Sequence, residues 1–223
     1  MAAPRKPEHK ADMASFAILL GGPVVPTHRL QAQVAGSRVI AADGGMVHAA
    51  VLGLEAELWV GDFDSTPPDL QKALAHIPRE AHPTDKDATD GELAVEAALA
   101  RGARRLILVG ALGGQTDQSL AHLLLALRLA QQGIPTLLSS GLEEAYPLLP
   151  GQTRLELPPQ SKLSLLPLGG LMGLSLRGVR WPLEHFDVPL GSTRTLSNLA
   201  LGPVEIELEA GFGAAIAYPE ALS

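Results

Sequence analysis

Residues 59–66 read WVGDFDST and place two carboxylates, Asp62 and Asp64, two positions apart at the end of an apolar run. On an extended segment, side chains at i and i+2 point to the same side, so the pair would share one surface. Like charges held that close raise each other's pKa unless a cation sits between them. Hard cations such as Mg²⁺ take carboxylate oxygens, keep several waters and complete their shell with substrate phosphates. One chemistry for the pair is therefore a metal–phosphate site. The other reading is a solvated loop, in which Asp64 caps a turn with Ser65 and Thr66 ahead of Pro67.

Further acidic residues stand at comparable places. Asp43 precedes Gly44 and Gly45, and glycines between a strand and a helix let backbone N–H groups approach a phosphate. The same three residues also make an ordinary turn. Asp85, Asp87 and Asp90 lie in HPTDKDATDGE, just before a helical pattern. Thr89 and Glu92 have capping-box spacing, and Asp90 falls in the first turn, where negative charge is favourable. Asp117 precedes another helical stretch, so it serves equally as a cap or dipole partner.

The elements that must position these residues alternate. Strand candidates are Ser15–Leu20, Ser37–Ala42, Leu58–Val60, Arg105–Val109 and Thr136–Ser139. Helical patterns cover Met46–Leu52, Thr89–Ala100 and Ser119–Gln132. The last has the clearest apolar face, formed by Leu120, Leu123, Leu124, Leu127 and Ala130. Strands alternating with helices predict a mostly parallel sheet covered on both sides. In such sheets ligands bind beyond the carboxyl ends of the strands. Asp43, Asp62, Asp64 and Asp117 all follow a strand closely, so acidic side chains from separate segments could converge on one rim.

Near Tyr146–Gln152 the pattern changes. Short alternating runs follow: Thr153–Leu157, Lys162–Leu166, Leu174–Arg177, Thr193–Leu196, Val204–Glu209 and Ala214–Tyr218. They predict a smaller, antiparallel all-β sandwich or barrel-like unit. The expected organisation is a mobile tail at 1–12, an α/β unit at 13–147 and a β-sandwich at 148–223.

Composition narrows the function. The formal charge of −7 argues against a general nucleic-acid surface. An acidic protein still binds a phosphorylated ligand when a divalent metal bridges the two. There is no cysteine, which excludes disulfides, thiolate chemistry and Cys-ligated metals. No apolar run reaches the roughly 18–20 residues of a membrane span, and Phe16–Leu20 is too short for a signal peptide. The expectation is a cytoplasmic protein. No G-x-x-x-x-G-K-[ST], G-x-G-x-x-G or G-x-S-x-G occurs. His185 and Asp187 form a lone H-x-D, which reads as surface or turn.

Taken in order, ADGG at 42–45, GDFDS at 61–65, DATD at 87–90, GALGGQTDQ at 110–118, GVRWPL at 178–183 and LSN at 196–198 resemble the thiamine pyrophosphokinase (thiamine diphosphokinase) family. The resemblance covers roughly residues 16–218. It implies an N-terminal α/β domain, a C-terminal β-sandwich, and a homodimer whose active site lies between the α/β domain of one subunit and the β domain of the other. It also implies pyrophosphoryl transfer from ATP to the thiamine hydroxyl with Mg²⁺, giving thiamine diphosphate and AMP.

By position, Asp62, Asp64 and Asp90 match the metal-binding and catalytic carboxylates. Asp43 and Asp117 match aspartates of the nucleotide and catalytic cleft. Gly44, Gly45, Ser65, Thr89 and Gln115 stand in the same motifs as expected nucleotide contacts. Ser197 and Asn198 match the segment that helps form the thiamine pocket, and Trp181 stands where the family usually has an aromatic. Two positions depart. Gln115 replaces a common arginine, and Gln118 replaces a histidine common in bacterial members. Two other readings remain at this point: a D-x-D glycosyl- or nucleotidyltransferase, and a catalytically silent nucleotide- or thiamine-binding module.

Overall fold

The computed structural model describes residues 14–63, 68–82 and 88–219. Asp64, Ser65, Asp85, Lys86 and Asp87 lie outside the described residues, as does the expected tail.

The expected apolar runs form parallel strands: β1 (Ser15–Leu19), β2 (Arg38–Ala42), β3 (Leu58–Gly61), β5 (Arg105–Val109) and β6 (Thr136–Ser139). A short β4 (Arg79–Ala81) joins one edge, giving the parallel order β4-β3-β2-β1-β5-β6. The runs are apolar throughout because both faces are covered. Phe16, Ile18, Ile40 and Val60 pack under α4 (Asp90–Ala100) and α5 (Thr116–Gln131). Ala17, Leu19, Ala41 and Trp59 pack under α1 (His28–Val34) and α2 (Val47–Leu52). A further helix, α3 (Pro68–Ala73), precedes β4.

The C-terminal part is antiparallel β. It comprises β7 (Glu144–Leu148), β8 (Gly151–Leu155), β9 (Lys162–Val179), β10 (Leu183–Val188), β11 (Asn198–Leu208) and β12 (Ala210–Tyr218). Its own core gathers Leu163, Leu165, Leu174, Leu176, Val204 and Ile206. It is joined to the first part through hydrogen bonds: β7 pairs β6 on one side and β12 on the other, so a single sheet runs through both parts. The boundary expected at residues 147 and 148 falls inside β7. Only β9 with β11 departs from antiparallel pairing here, in a parallel ladder broken by register shifts.

Several local expectations need correction. The runs Lys162–Leu166 and Leu174–Arg177 belong to one 18-residue strand, β9, which pairs β12 over its first part, β10 over its later part and β11 at both ends. The run Thr193–Leu196 is a turn. The Leu196 N–H donates to the Thr193 oxygen at 3.1 Å, and Ser197 takes φ 60° before β11 begins. Helix α5 buries Leu123, Ala126, Leu127 and Leu129, whereas Leu120 and Leu124 stay about half exposed. The sheet touches a stripe about one residue further round the helix than the leucine pattern alone implied.

Candidate active site

A cleft of about 730 Å³ opens at the carboxyl ends of β1, β2, β3 and β5. It brings together six of the expected residues: Asp43, Gly44, Asp62, Thr89, Asp90 and Gln115. The described lining therefore contains three carboxylates and no lysine or arginine. Gly22, Gly110, Gln118 and His122 complete the floor and one wall.

The acidic wall is set by two backbone kinks. Asp43 opens a 3₁₀ turn, Asp43–Met46, and takes φ 41°, in the left-handed region that non-glycine residues seldom occupy. Its main-chain oxygen accepts a hydrogen bond from the Trp59 indole at 2.9 Å. Gly61 lies directly against it: a Cβ there would sit 3.2 Å from the Asp43 Cα. Phe63 takes φ 62°. The chain thus leaves the extended course at Phe63, while Asp64, the second carboxylate of the pair, lies outside the described residues. Phe63 turns inward against Trp59 instead, with ring centroids 5.0 Å apart at 87°.

Two helices start on this rim. The Thr89 hydroxyl caps α4 by accepting from the Glu92 N–H at 3.2 Å, so Thr89 both lines the cleft and ends the helix. Glu92 itself turns away to an ion pair with Arg128. Gln115 is the N-cap position of α5 yet supplies no side-chain cap. The positive ends of both helix dipoles favour an anion here. Gln115, Gln118, Ser119 and His122 form one polar stripe of α5 facing the cleft, opposite its buried leucines. His122 Nδ1–H donates to the Ala111 oxygen at 3.2 Å, which fixes the orientation of the ring on the cleft wall. His48 Nε2–H donates to the Gly22 oxygen at 2.9 Å and holds the glycine loop after β1. Both histidines were missed in the sequence. The stripe at 115, 118, 119 and 122 was the available signal for His122.

Two expected residues stand off the cleft. Gly45 is buried beneath it, where a Cβ would come within 2.1 Å of the Leu19 oxygen, so its glycine is demanded by packing. Asp117 is exposed in the first turn of α5, its carboxylate accepting from the Gln118 N–H at 2.9 Å. It neighbours the wall formed by Gln115 and Gln118 without forming part of it.

Trp181 and Asn198 line a separate pocket of about 470 Å³ in the β part. Asn198 is buried and braces the tryptophan backbone: its amide donates to the Trp181 oxygen at 2.8 Å, and its oxygen accepts from the Trp181 N–H at 3.1 Å. The Trp181 ring is 54% exposed, with the Arg180 guanidinium 4.9 Å above it. Ser197 does not line this pocket; its N–H donates to the Ser164 hydroxyl at 3.0 Å. An apolar hollow of about 310 Å³ lies between the two sites. Ser119 borders both hollow and cleft, and Leu196 borders both hollow and tryptophan pocket.

The donor set of the cleft fits a hard divalent cation: three carboxylates, with the Gln115 and Gln118 amides, the Thr89 and Ser119 hydroxyls and the His122 ring beside them. Among the described residues no three such side chains close on one point. Asp64, the third carboxylate expected to bind the metal, lies outside the described residues.

A doubly covered parallel sheet with an acidic cleft at its carboxyl edge, carrying an antiparallel β unit with a second pocket, defines a two-part, phosphate-handling α/β protein. Comparison with known proteins supplies the family. The model of the thiamin pyrophosphokinase catalytic domain matches residues 31–138. That of the thiamin pyrophosphokinase vitamin B1 binding domain matches residues 152–212. Together they span well over half of the chain, and the chain belongs to the thiamin pyrophosphokinase family. The thiamine pyrophosphokinase of Bacillus subtilis (strain 168) is 26% identical over 157 residues, covering 69% of this chain and 72% of the relative. The crystal structure of a thiamine pyrophosphokinase from Bacillus subtilis shares the fold with a TM-score of 0.81 at 24% identity, over 92% of this chain and 99% of that one. A thiamin pyrophosphokinase family protein from Enterococcus faecalis gives a TM-score of 0.76 at 26% identity, over 92% and 98%.

Proposed function

We infer that this chain is a thiamine diphosphokinase, which moves the terminal pyrophosphoryl group of ATP onto the hydroxyl of thiamine. The observation that carries the reading is the cleft itself. Asp43, Asp62 and Asp90 meet there beside two helix N-termini, within the span matched by the catalytic-domain model.

In the reaction, the thiamine hydroxyl oxygen attacks the β-phosphorus of ATP. The bond from that phosphorus to the oxygen bridging it to the α-phosphorus breaks, and AMP leaves with that oxygen. Such transfers depend on in-line positioning and charge neutralisation more than on covalent chemistry. The α4 and α5 N-termini offer backbone dipoles to the phosphates. Asp62, Asp64 and Asp90 would hold Mg²⁺, which neutralises triphosphate charge when bound. Asp43 and Asp117 supply further negative charge around the cleft, suited to a cationic acceptor such as thiamine. A carboxylate of this set takes the hydroxyl proton. Trp181, held by Asn198, offers an aromatic face to the thiamine rings.

We place the nucleotide in the α/β unit, 13–147, and thiamine in the β unit, 148–223. A homodimer goes with this reading. The exposed Leu120, Leu124, Leu196 and Tyr218, which lie on or beside the hollow between the sites, support it. An ATP donor also fits a cytoplasmic location. The glycosyl- or nucleotidyltransferase and silent-module readings are not favoured, since catalytic and vitamin-binding models match in tandem. Incubation with ATP, Mg²⁺ and thiamine should yield AMP and thiamine diphosphate in equal amounts. Bound thiamine with neither product would leave only the binding module.

A further inference from the structure

Asp43 and Asp62 adjoin a group of side chains that do not line the cleft. Trp59 lies in the core of the α1/α2 face, and its indole N–H holds the main-chain oxygen of Asp43 at 2.9 Å. The same indole ring receives the Phe63 ring edge-on. The Arg79 guanidinium covers both rings, 5.1 Å from the Trp59 centroid and 5.5 Å from that of Phe63. Gln71 closes the circuit. Its main-chain oxygen and its side-chain oxygen both accept from Arg79, and its amide donates to the Phe63 oxygen at 3.2 Å.

Two non-glycine residues with positive φ, Asp43 at 41° and Phe63 at 62°, are bonded through their main-chain oxygens to this circuit. Such conformations are strained and persist when their surroundings over-determine them. Here the surroundings include an aromatic–cation stack and, against Asp43, the Gly61 backbone. None of its members lines the cleft.

We propose that Trp59, Phe63 and Arg79 are positioning residues for the acidic wall, setting where Asp43 and Asp62 present their carboxylates to a divalent metal–nucleotide. The proposal rests on the reading of the cleft as the metal–ATP site. It explains why an aromatic stands between Asp62 and Asp64: the ring is the anchor that turns the segment.

The test uses the full chain with Mn²⁺–ATP as probe, read by calorimetry and by steady-state kinetics. Trp59→Phe keeps a ring and removes the donor to Asp43. Arg79→Met removes the cation, and Arg79→Lys restores charge without the planar face. Trp59→Phe and Arg79→Met should each weaken Mn²⁺–ATP binding at least fivefold and raise the metal concentration needed for half-maximal turnover. The KM for thiamine should stay within twofold, and Arg79→Lys should recover part of the loss. Arg154→Met, at an exposed ion pair on β8, should change none of these. Wild-type affinity in folded Trp59→Phe and Arg79→Met would overturn the proposal, as would a loss falling equally on thiamine. A parent chain that binds Mn²⁺–ATP, loses it in the variants and yet makes no AMP would refute the enzymatic reading while leaving the positioning role standing. A parent that does not bind Mn²⁺–ATP removes both.

Discussion

Arg29 and Glu144 meet as a bidentate pair, Nε to Oε1 at 2.6 Å and Nη2 to Oε2 at 2.9 Å, and tie α1 to the first strand of the β part. Glu144 is fully buried and also accepts from the Gln33 amide at 2.6 Å and from the Tyr146 hydroxyl. The hydrogen bonds to Glu144 hold the Arg29 guanidinium charged, above its ordinary range, against the opposing effect of burial. The pair therefore stands at the junction of the parallel and antiparallel halves of the sheet.

Removing one partner of such a pair leaves a buried charge uncompensated. Glu144→Gln keeps the shape and loses the anion, and should destabilise the fold by on the order of 3 kcal/mol. Denaturant unfolding measures this. A change within about 0.5 kcal/mol, the range of ordinary surface substitutions, would show that the junction does not depend on the pair.

The alkaline side of stability follows from the chain's two tyrosines. Burial, then the Glu144 charge, pushes Tyr146 above its ordinary pKa, and burial with Glu143 pushes Tyr218 upward too. The unfolded chain loses these phenolic protons first, near the ordinary value of about 10. Above that pH the native state binds more protons than the unfolded state, so stability falls as pH rises. Below it, the contribution is fully present. Tyr146→Phe should flatten the decline between pH 10 and higher values in a thermal-melt series; an unchanged slope would remove Tyr146 as its source.

Asp62 lines the cleft without supporting the core. Asp62→Asn should lower kcat about a hundredfold or more, the size expected when a charge-stabilising group of an active site is lost. The melting temperature should stay close to that of the parent. A folded variant with near-parental turnover would exclude Asp62 from the mechanism. Asp64→Asn should behave alike.

Gln115 stands where the family resemblance leads one to expect arginine, at the uncapped start of α5 on the cleft wall. Restoring the cation should strengthen the hold on the triphosphate. Gln115→Arg should lower the KM for ATP about tenfold, equivalent to ~1.4 kcal/mol, with little change in the KM for thiamine. No change for ATP would mean that the cleft already neutralises the phosphates fully.

The sequence was informative where burial leaves a strong pattern. β1, β2, β3, β5 and β6 are apolar on both faces and end near glycines, so their carboxyl ends, and the aspartates after them, could be placed on one rim. Asp43, Asp62, Thr89, Asp90 and Gln115 meet there accordingly. Helix α1 escaped because it buries only Leu30 and Val34, one turn apart. β4 escaped because its three residues, Arg79, Glu80 and Ala81, carry no apolar signal. The left-handed turn at Phe63 and the bond from Trp59 to Asp43 are products of tertiary packing. No local propensity announces either. Asp117, which the family resemblance matches to the cleft, is presented by the helix to solvent beside the wall, in the first-turn place that its spacing equally allowed.

The most direct test of the central claim follows the phosphorus atoms. With ATP labelled at the γ-phosphorus, Mg²⁺ and thiamine, the label should appear only in the terminal phosphate of thiamine diphosphate, with one unlabelled AMP formed for each. Labelled thiamine monophosphate with ADP, or no labelled thiamine ester at all, would contradict pyrophosphoryl transfer by this chain.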